Sequence, residues 1–243
     1  MIVHFIADLH LDPAGPASLA AFQAYLAGPA RSADTLYILG DLFEYWIGDD
    51  DESPLGRTVA NELKTLSEHG TAIRFMAGNR DFLLGQRFAR MAGMQLLDDP
   101  SLIDLGGMKV ALTHGDLLCT DDHAYQQFRR QVRDLAWQRA FLEKSLPERR
   151  DIVANMRTQS TAATRDKDMD IMDVNEDAVT ALFRRLNRPS VLIQGHTHRP
   201  ARHQQIIDGR SAVRWVLSDW RGNKAPYLCW NGNTFQAVDF PSQ

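Results

Sequence analysis

The sequence has little cysteine and no long apolar run. Its 243 residues include 2 cysteines, Cys119 and Cys229, which lie far apart in the chain. This content excludes a disulfide framework and indicates a reducing compartment. No apolar segment approaches the roughly 18 residues that a membrane-spanning helix needs. Residues 1–6 lack the basic region of a signal peptide, so we expect a cytoplasmic protein that is at most peripheral to a membrane.

An excess of positive charge is also absent. The chain has 27 Lys and Arg against 31 Asp and Glu, a formal net charge of -4 at pH 7. Nucleic acid is therefore not an expected partner. Hydrophobic residues make up 44% and charged residues 24%, a balance that excludes an intrinsically disordered chain. The length suits one large α/β domain or a domain with a sizeable insertion.

Short runs of β-branched residues recur along the chain, and a polar or glycine-containing turn follows each of them. They predict strands at residues 2–7, 35–39, 72–76, 109–113, 191–194 and 213–217. The first three alternate with predicted helices at 17–26, 55–69 and 82–92, and later strands are predicted at 227–230 and 234–238. This βαβ rhythm indicates an α/β fold whose sheets are covered by helices.

Strand signals stop between about residues 121 and 187, where helix formers take over. We interpret 121–187 as a helical insertion, or cap, that ends in a helix near 174–186, and 1–120 with 188–243 as the catalytic core. Within the cap, residues 128–146 mix arginine with Trp137, Phe141 and Leu142. Such a stretch can lie on an anionic membrane, line an acyl pocket or simply face the core.

Residue types that bind metals follow five of the predicted strands. The segments are Asp8-Leu9-His10, Gly40-Asp41, Gly78-Asn79-Arg80-Asp81, His114-Gly115-Asp116 and Gly195-His196-Thr197-His198. Ligands of α/β sheets collect beyond the carboxyl ends of the strands, so these segments are expected to converge. Imidazole and carboxylate groups suit Mn, Fe or Zn better than Ca or Mg. Each motif alone is common in turns, but their ordered occurrence predicts a two-metal site.

Spacing within the motifs supports that prediction. The first and third residues of Asp8-x-His10 can face one side together, and Asp41 could bridge the two ions. A glycine before Asp41, Asn79 and His196 would let the backbone turn sharply after each strand. Nearby carboxylates could orient the imidazoles; the candidates are Glu44, Asp81 and Asp116. Histidines outside the motifs are interpreted as structural or surface residues; these are His69, His123 and His203.

The motif set resembles the pattern of the calcineurin-like metallophosphoesterase superfamily: Asp-x-His, Gly-Asp-x-x-acid, Gly-Asn-(His/Arg), His and Gly-His-x-His. The match extends from Asp8 to His198. It implies a four-layer α/β/β/α sandwich, here with an inserted helical cap, and two divalent metal ions. By this resemblance, one ion is held by Asp8, His10, Asp41 and His198. The other is held by Asp41, Asn79, His114 and His196.

Longer strings narrow the resemblance to a subfamily of Gram-negative lipid A biosynthesis. They are YILGDLFEYWIGDDD at 37–51, GNRDFLL at 78–84, LCTDD at 118–122, IMDVN at 171–175 and GHTHRP at 195–200. The subfamily implies cleavage of the pyrophosphate of UDP-2,3-diacylglucosamine, a lipid-linked UDP-sugar, to UMP and 2,3-diacylglucosamine 1-phosphate (lipid X). It also implies Mn²⁺ and peripheral association with the cytoplasmic face of the inner membrane. We expect a monomer.

Arg80 occupies a position where many superfamily members have histidine. An arginine stays protonated and cannot donate a proton to a leaving group. That matters little for a phosphate leaving group, whose second pKa is about 6. Arg80 and His196 are therefore predicted to be catalytic residues that neutralise charge in the transition state. The alternative for Arg80 is a substrate-binding or surface arginine.

Ser160, Thr164 and Lys167 would share one face of a cap helix, at spacing i, i+4 and i+7. Two hydroxyls and an ammonium suit a sugar-phosphate head group. The resemblance agrees, although asparagine is common in the subfamily where this chain has Thr164. It adds further substrate contacts: Asn79, Arg80, Asp122 and His196. A solvated polar face is the alternative.

Three other functions fit parts of the pattern. The enzyme could cleave another nucleotide anhydride or a phosphodiester. A non-catalytic scaffold on the same fold, or a lipid-binding module without catalysis, would be expected to lack metal ligands. No ligand position of the pattern is missing from this sequence, which favours an enzyme.

Overall fold

Two β-sheets form the centre of the protein in the computed structural model, which describes residues 1–165, 171 and 173–241. The strands of this part are β1 (Val3–Ile6), β2 (Thr35–Leu39), β3 (Ala72–Met76), β4 (Met94–Leu97), β5 (Ser101–Leu105), β6 (Met108–Leu112), β7 (Val191–Gln194), β8 (Ala201–Ile207), β9 (Arg210–Val216), β10 (Lys224–Trp230) and β11 (Phe235–Pro241). The first sheet has the order β11-β10-β1-β2-β3-β4, and the second has β5-β6-β7-β9-β8.

The central strands of both sheets are parallel. Strands β1 to β4 pair in parallel in the first sheet, and β6, β7 and β9 do so in the second. The carboxyl ends of parallel strands lie at the same edge of a sheet, so the loops that follow these strands can form one site.

The helices of the described part are α1 (Pro16–Ala27), α2 (Pro54–Glu68), α3 (Gln86–Met91), α4 (His123–Val132), α5 (Leu135–Leu142), α6 (Leu146–Arg165) and α7 (Glu176–Arg185). Local chemistry sets several of their starts. The side chain of Ser53 accepts a hydrogen bond from Gly56 N before α2, and that of Asn175 accepts one from Ala178 N before α7. These side chains satisfy N–H groups that have no partner within the helix.

Three apolar clusters define the layers. Between the sheets, Phe5 of β1 shares a buried cluster with Val110 of β6 and Ile193 of β7. On the outer face of the first sheet, α1, α2 and α3 pack in a second cluster. On the outer face of the second sheet, Phe183 of α7 packs against Leu192 of β7. The order helix, sheet, sheet, helix confirms the predicted four-layer sandwich.

Several predicted elements match the structure, and others do not. The predicted strands 35–39, 72–76 and 191–194 have the observed bounds. The predicted helix 82–92 is too long, since α3 begins only at Gln86 after a turn in which Leu84 N donates to Asp81 O. Strands β4, β5 and β8 were not predicted. Strand β8 alternates exposed and half-buried residues and reads as polar in sequence.

Helices α4 to α7 follow one another between β6 and β7, as predicted for a helical insertion. Helix α7 nevertheless packs on the second sheet and forms the outer layer there. The boundaries 121–187 stay a prediction. In α5, Phe141 is buried whereas Leu135 and Leu142 are exposed, so this helix faces the core with one side only. None of the described helices is long and apolar enough to cross a membrane.

Candidate metal centre

The loops after the parallel strands have a strained backbone where the predicted ligands lie. Eight non-glycine residues of the described chain have positive φ angles, and five of them belong to the predicted site. These five are Asp8, His10, Asp41, His196 and His198, with φ between 48° and 69°. Non-glycine residues in the left-handed region cost of order 1–3 kcal/mol and cluster at functional sites. The backbone therefore singles out the residues that the motifs predict.

One cluster of side chains contains Asp8, His10, Asp41 and His198. The Nε2 atoms of His10 and His198 lie 3.2 Å apart. Asp8 Oδ1 lies 3.5 Å from His198 Nε2, and Asp41 Oδ2 lies 3.9 Å from His10 Nε2. Asp8, His10 and His198 thus place three ligand atoms within 4.8 Å of one another, and Asp41 Oδ2 lies beside His10.

A second cluster lies on the other side of the Asp41 carboxylate. Asn79 Oδ1 is 2.9 Å from His114 Nε2 and 2.8 Å from His196 Nδ1. Asp41 Oδ1 is 3.8 Å from His114 Nε2. The two oxygens of Asp41 are therefore divided between the clusters, since Oδ2 faces the first and Oδ1 the second.

Three observations show that this arrangement fits a cation. Asp8 Oδ1 is buried and makes no hydrogen bond within the described residues, whereas Asp8 Oδ2 accepts one from His196 N at 2.9 Å. Burial would lower the pKa of His114, but Asp41, Asp116 and Asp8 outweigh it and raise this pKa to about 9. The centre thus attracts positive charge strongly. Its imidazole and carboxylate donors suit a divalent transition metal.

The far nitrogen of each of three imidazoles faces an oxygen. His10 Nδ1 lies 2.9 Å from Glu44 Oε2, and His114 Nδ1 lies 2.9 Å from the Leu39 carbonyl. His198 Nδ1 lies 3.6 Å from Asp219 Oδ2. Such acceptors hold the proton on the far nitrogen and leave the near one free to bind a metal.

Asp81 holds the loops after β2 and β3 together. Its buried carboxylate accepts backbone N–H bonds from Gly78 at 2.8 Å and Leu42 at 2.7 Å, with longer ones from Asp41 and Phe43. Burial and the neighbouring Asp41 raise the pKa of Asp81 to about 6. Asp81 therefore orients backbone, and not an imidazole as the sequence suggested.

Two glycines are required here by close approach and not by a turn. A Cβ atom at residue 78 would lie 2.1 Å from Asp41 Oδ1, and one at residue 195 would lie 2.4 Å from Asp8 Oδ2. Neither Gly78 nor Gly195 has a positive φ, in contrast to Gly40 at 89°. The expectation of a sharp turn therefore holds for Gly40 alone among the three.

The predicted catalytic and substrate-binding residues lie at different distances from the clusters. Arg80 N donates to Asp41 Oδ1 at 2.8 Å, and its guanidinium lies 3.8 Å from Glu44. Asp122 is buried and accepts from Tyr125 N at the start of α4. Ser160 and Thr164 fall within α6, although their side chains lie outside the described part of the structure. Lys167 lies outside the described residues altogether.

Two further residues were missed by the sequence reasoning. Asp219 follows β9 closely, so the rule that found the other strand ends could have found it. Arg157 of α6 donates to Glu44 Oε1 at 3.0 Å and lies over the Tyr45 ring at 5.3 Å. No local signal marks that contact, because 113 positions separate the two residues.

The fold and the paired clusters define a metal-dependent phosphoesterase, and comparison with known proteins agrees. Residues 1–200 match the model of the calcineurin-like phosphoesterase family, and the chain belongs to that family. A dimetal phosphatase from Danio rerio shares the fold, with a TM-score of 0.54, 12% identity and coverage of 100% of this chain and 99% of that one.

Within the family, the chain is similar to curated UDP-2,3-diacylglucosamine hydrolases. The one from Aromatoleum aromaticum is 56% identical over 228 residues, which cover 94% of this chain and 92% of that protein. The one from Salmonella typhi is 51% identical over 220 residues, which cover 90% and 91%. The resemblance inferred from the motifs is confirmed.

Proposed function

We propose that this protein hydrolyses the pyrophosphate of UDP-2,3-diacylglucosamine to UMP and 2,3-diacylglucosamine 1-phosphate. The chain is a metal-dependent hydrolase by family and fold. The substrate follows from the relatives of that name, which match along more than nine-tenths of their length. The observation that carries the chemistry is the Asp41 carboxylate, whose oxygens face two separate ligand clusters.

The residues would hold two divalent ions, for which we propose Mn²⁺. Asp8, His10, Asp41 and His198 would hold one ion, and Asp41, Asn79, His114 and His196 the other. When bound, such a pair of ions activates water and polarises phosphoryl oxygens. The chain itself supplies the donors, and Glu44 and Asp219 face the far nitrogens of two of the imidazoles.

Arg80 and His196 would act on the phosphoryl oxygens. The Arg80 guanidinium stays charged and stabilises developing negative charge, but it cannot serve as a general acid. Burial and the neighbouring His114 lower the pKa of His196 to about 4, so its imidazole is neutral at pH 7. His196 would therefore contribute a ligand nitrogen and a hydrogen bond, and the positive charge would come from Arg80.

The head group of the substrate would lie between the metal centre and the cap. Proposed contacts are Asn79, Arg80, Asp122, Ser160, Thr164, Lys167 and His196. The enzyme would work as a monomer on the cytoplasmic face of the inner membrane, where the exposed Leu135 and Leu142 of α5 could meet lipid.

The test is UMP release from UDP-2,3-diacylglucosamine with Mn²⁺ supplied and then chelated. We expect activity that chelation removes and renewed Mn²⁺ restores. A panel of soluble nucleotide anhydrides and phosphodiesters serves as the comparison. Turnover of a soluble nucleotide above that of the lipid-linked sugar would contradict the proposed substrate. Absence of metal-dependent hydrolysis on every compound would contradict the proposed chemistry.

A further inference from the structure

We propose that the outer face of the second sheet carries a binding site for a small oxyanion, a carboxylate or phosphate group, at Arg214. A cavity of about 390 Å³ lies there, and its lining includes Asp173, Glu176, Thr197, Arg199, His203 and Arg214. Ligand pockets commonly have roughly 300–1,000 Å³. Thr197 lines this cavity whereas its neighbours His196 and His198 enter the metal clusters, so the cavity is distinct from the metal centre.

Arg214 is the central feature of this cavity. Its side chain is 3% exposed. It forms an ion pair at 3.0 Å with Glu176, whose side chain is 63% exposed. Its Nε atom is buried and has no hydrogen-bond partner within the described residues. Burial of a guanidinium with an unmet donor is strongly unfavourable, and the pair with an exposed acid offsets little of that cost.

A second unmet donor lines the same cavity. The Thr197 hydroxyl is buried and also lacks a hydrogen-bond partner in the part of the chain that is described. Two donors without a partner, from β9 and from the loop after β7, thus belong to residues that line the same cavity. A carboxylate or phosphate oxygen is the acceptor that a guanidinium fork fits best.

The formal charges around the cavity are balanced, and its unpartnered hydrogen-bond donors are what favour an anion. Burial and the neighbouring Arg214 lower the pKa of His203, so this ring is neutral at pH 7. Asp173 is paired with Arg199, and Glu176 is shared between Arg214 and the Gln205 amide. Among the buried side-chain atoms of the described cavity residues, the Arg214 Nε and the Thr197 hydroxyl lack a hydrogen-bond partner, and both can donate to an electron-rich oxygen.

The test is calorimetric titration of the full, Mn²⁺-loaded protein with inorganic phosphate and, separately, with acetate. We expect two classes of phosphate site in the wild type, one at the metals and one at the cavity. Arg214→Met should weaken the second class at least about tenfold, as expected for a charge-assisted bond. The matched control is Arg202→Met on β8, which is exposed and lies over Trp215 on the other side of the sheet.

Thr197→Val is a second variant that removes one uncharged donor and leaves the buried charge pair intact. It should weaken the same class by about twofold to tenfold. If Arg214→Met does not fold, Thr197→Val alone tests the proposed oxyanion site. If Arg214 is needed for the binding of phosphate but acetate does not bind, the ligand group is a phosphate. If acetate also binds in an Arg214-dependent way, the site accepts carboxylates as well. Identical titrations of the wild type and both variants, with either anion, would overturn the proposal and leave water as the occupant.

Discussion

The Nε2 atoms of His10 and His198 lie 3.2 Å apart, although 188 positions separate the two residues in the chain. The Nδ1 atom of each ring faces a carboxylate, that of Glu44 or of Asp219. His10 Nδ1 donates to the Glu44 carboxylate, so the lone pair of His10 Nε2 faces His198 Nε2. A proton or a metal ion between the two Nε2 atoms would stabilise this contact. His10 and His198 are therefore expected to bind the same ion, and predictions about metal binding follow.

Asp41→Ala is expected to lower bound metal more than any other single ligand change, because its two oxygens face both clusters. His198→Ala and His114→Ala should each remove about half of the metal, as one ion of a two-ion site. Elemental analysis after dialysis against limiting Mn²⁺ measures this. Asp104→Ala, at an exposed position of β5, is the control. Retention of both metals and near-normal turnover by Asp41→Ala would show that Asp41 is not a bridge.

Asp219→Ala should weaken Mn²⁺ binding about 10–100-fold without removing a ligand, as is typical for residues that orient a metal-binding imidazole. The reason is that His198 loses the carboxylate facing its Nδ1 atom. Mn²⁺ titration measures the affinity. The control is Asp239→Ala on β11, whose side chain is exposed. An unchanged affinity would mean that the 3.6 Å contact does not orient His198.

The residues of the candidate metal centre could be identified from the sequence more readily than the contacts that surround them. Strand ends with a ligand next to a glycine are local signals, and Gly78-Asn79 or Gly195-His196 could be read from a few residues. The contacts that fix these ligands are not local. Glu44 meets Arg157 across 113 positions, and no pattern in either segment reports the partner. Strand β8 was missed for a related reason, since its half-buried face comes from pairing with β9 and not from its own composition.

Arg80→Ala should reduce turnover by roughly 10²–10³-fold, as for loss of one donor that stabilises transition-state charge. The loss should be similar for good and poor leaving groups, because a guanidinium donates no proton to them. Turnover of a series of phosphate esters with graded leaving groups measures the effect. Arg57→Ala, an exposed arginine of α2, is the control. A loss confined to poor leaving groups would instead indicate proton donation routed through the neighbours of Arg80.

His4 should make folding stability depend on pH. It is buried beside the Tyr25 hydroxyl, at 3.0 Å, and burial lowers its pKa from 6.5 to about 4. The unfolded chain therefore binds a proton between these two pH values while the folded protein does not. Stability should be full above pH 6.5 and fall as the pH is lowered towards 4. His4→Asn should reduce this fall, measured by urea unfolding at pH 7 and pH 5. An equal fall in both proteins would contradict the prediction.

Arg157 should couple the cap helix α6 to the metal centre. Its guanidinium donates to Glu44, which also contacts His10, so one carboxylate contacts both the helix and a metal ligand. Arg157→Ala leaves the contact between Glu44 and His10 in place but removes the contact between α6 and Glu44.

We therefore expect unchanged Mn²⁺ content and unchanged turnover of p-nitrophenyl phosphate. For the lipid-linked UDP-sugar, kcat/KM should fall about threefold to tenfold, the scale of a part-exposed ion pair with some added packing. Arg150→Ala is the matched control, since Arg150 lies on the same helix and pairs with Asp51 at the surface. It should change kcat/KM less than twofold, roughly the effect of an exposed pair. Equal losses on both substrates would mean that Arg157 acts through Glu44 to position His10. Equal losses in both variants would mean that α6 is held by many weak contacts and not by Glu44.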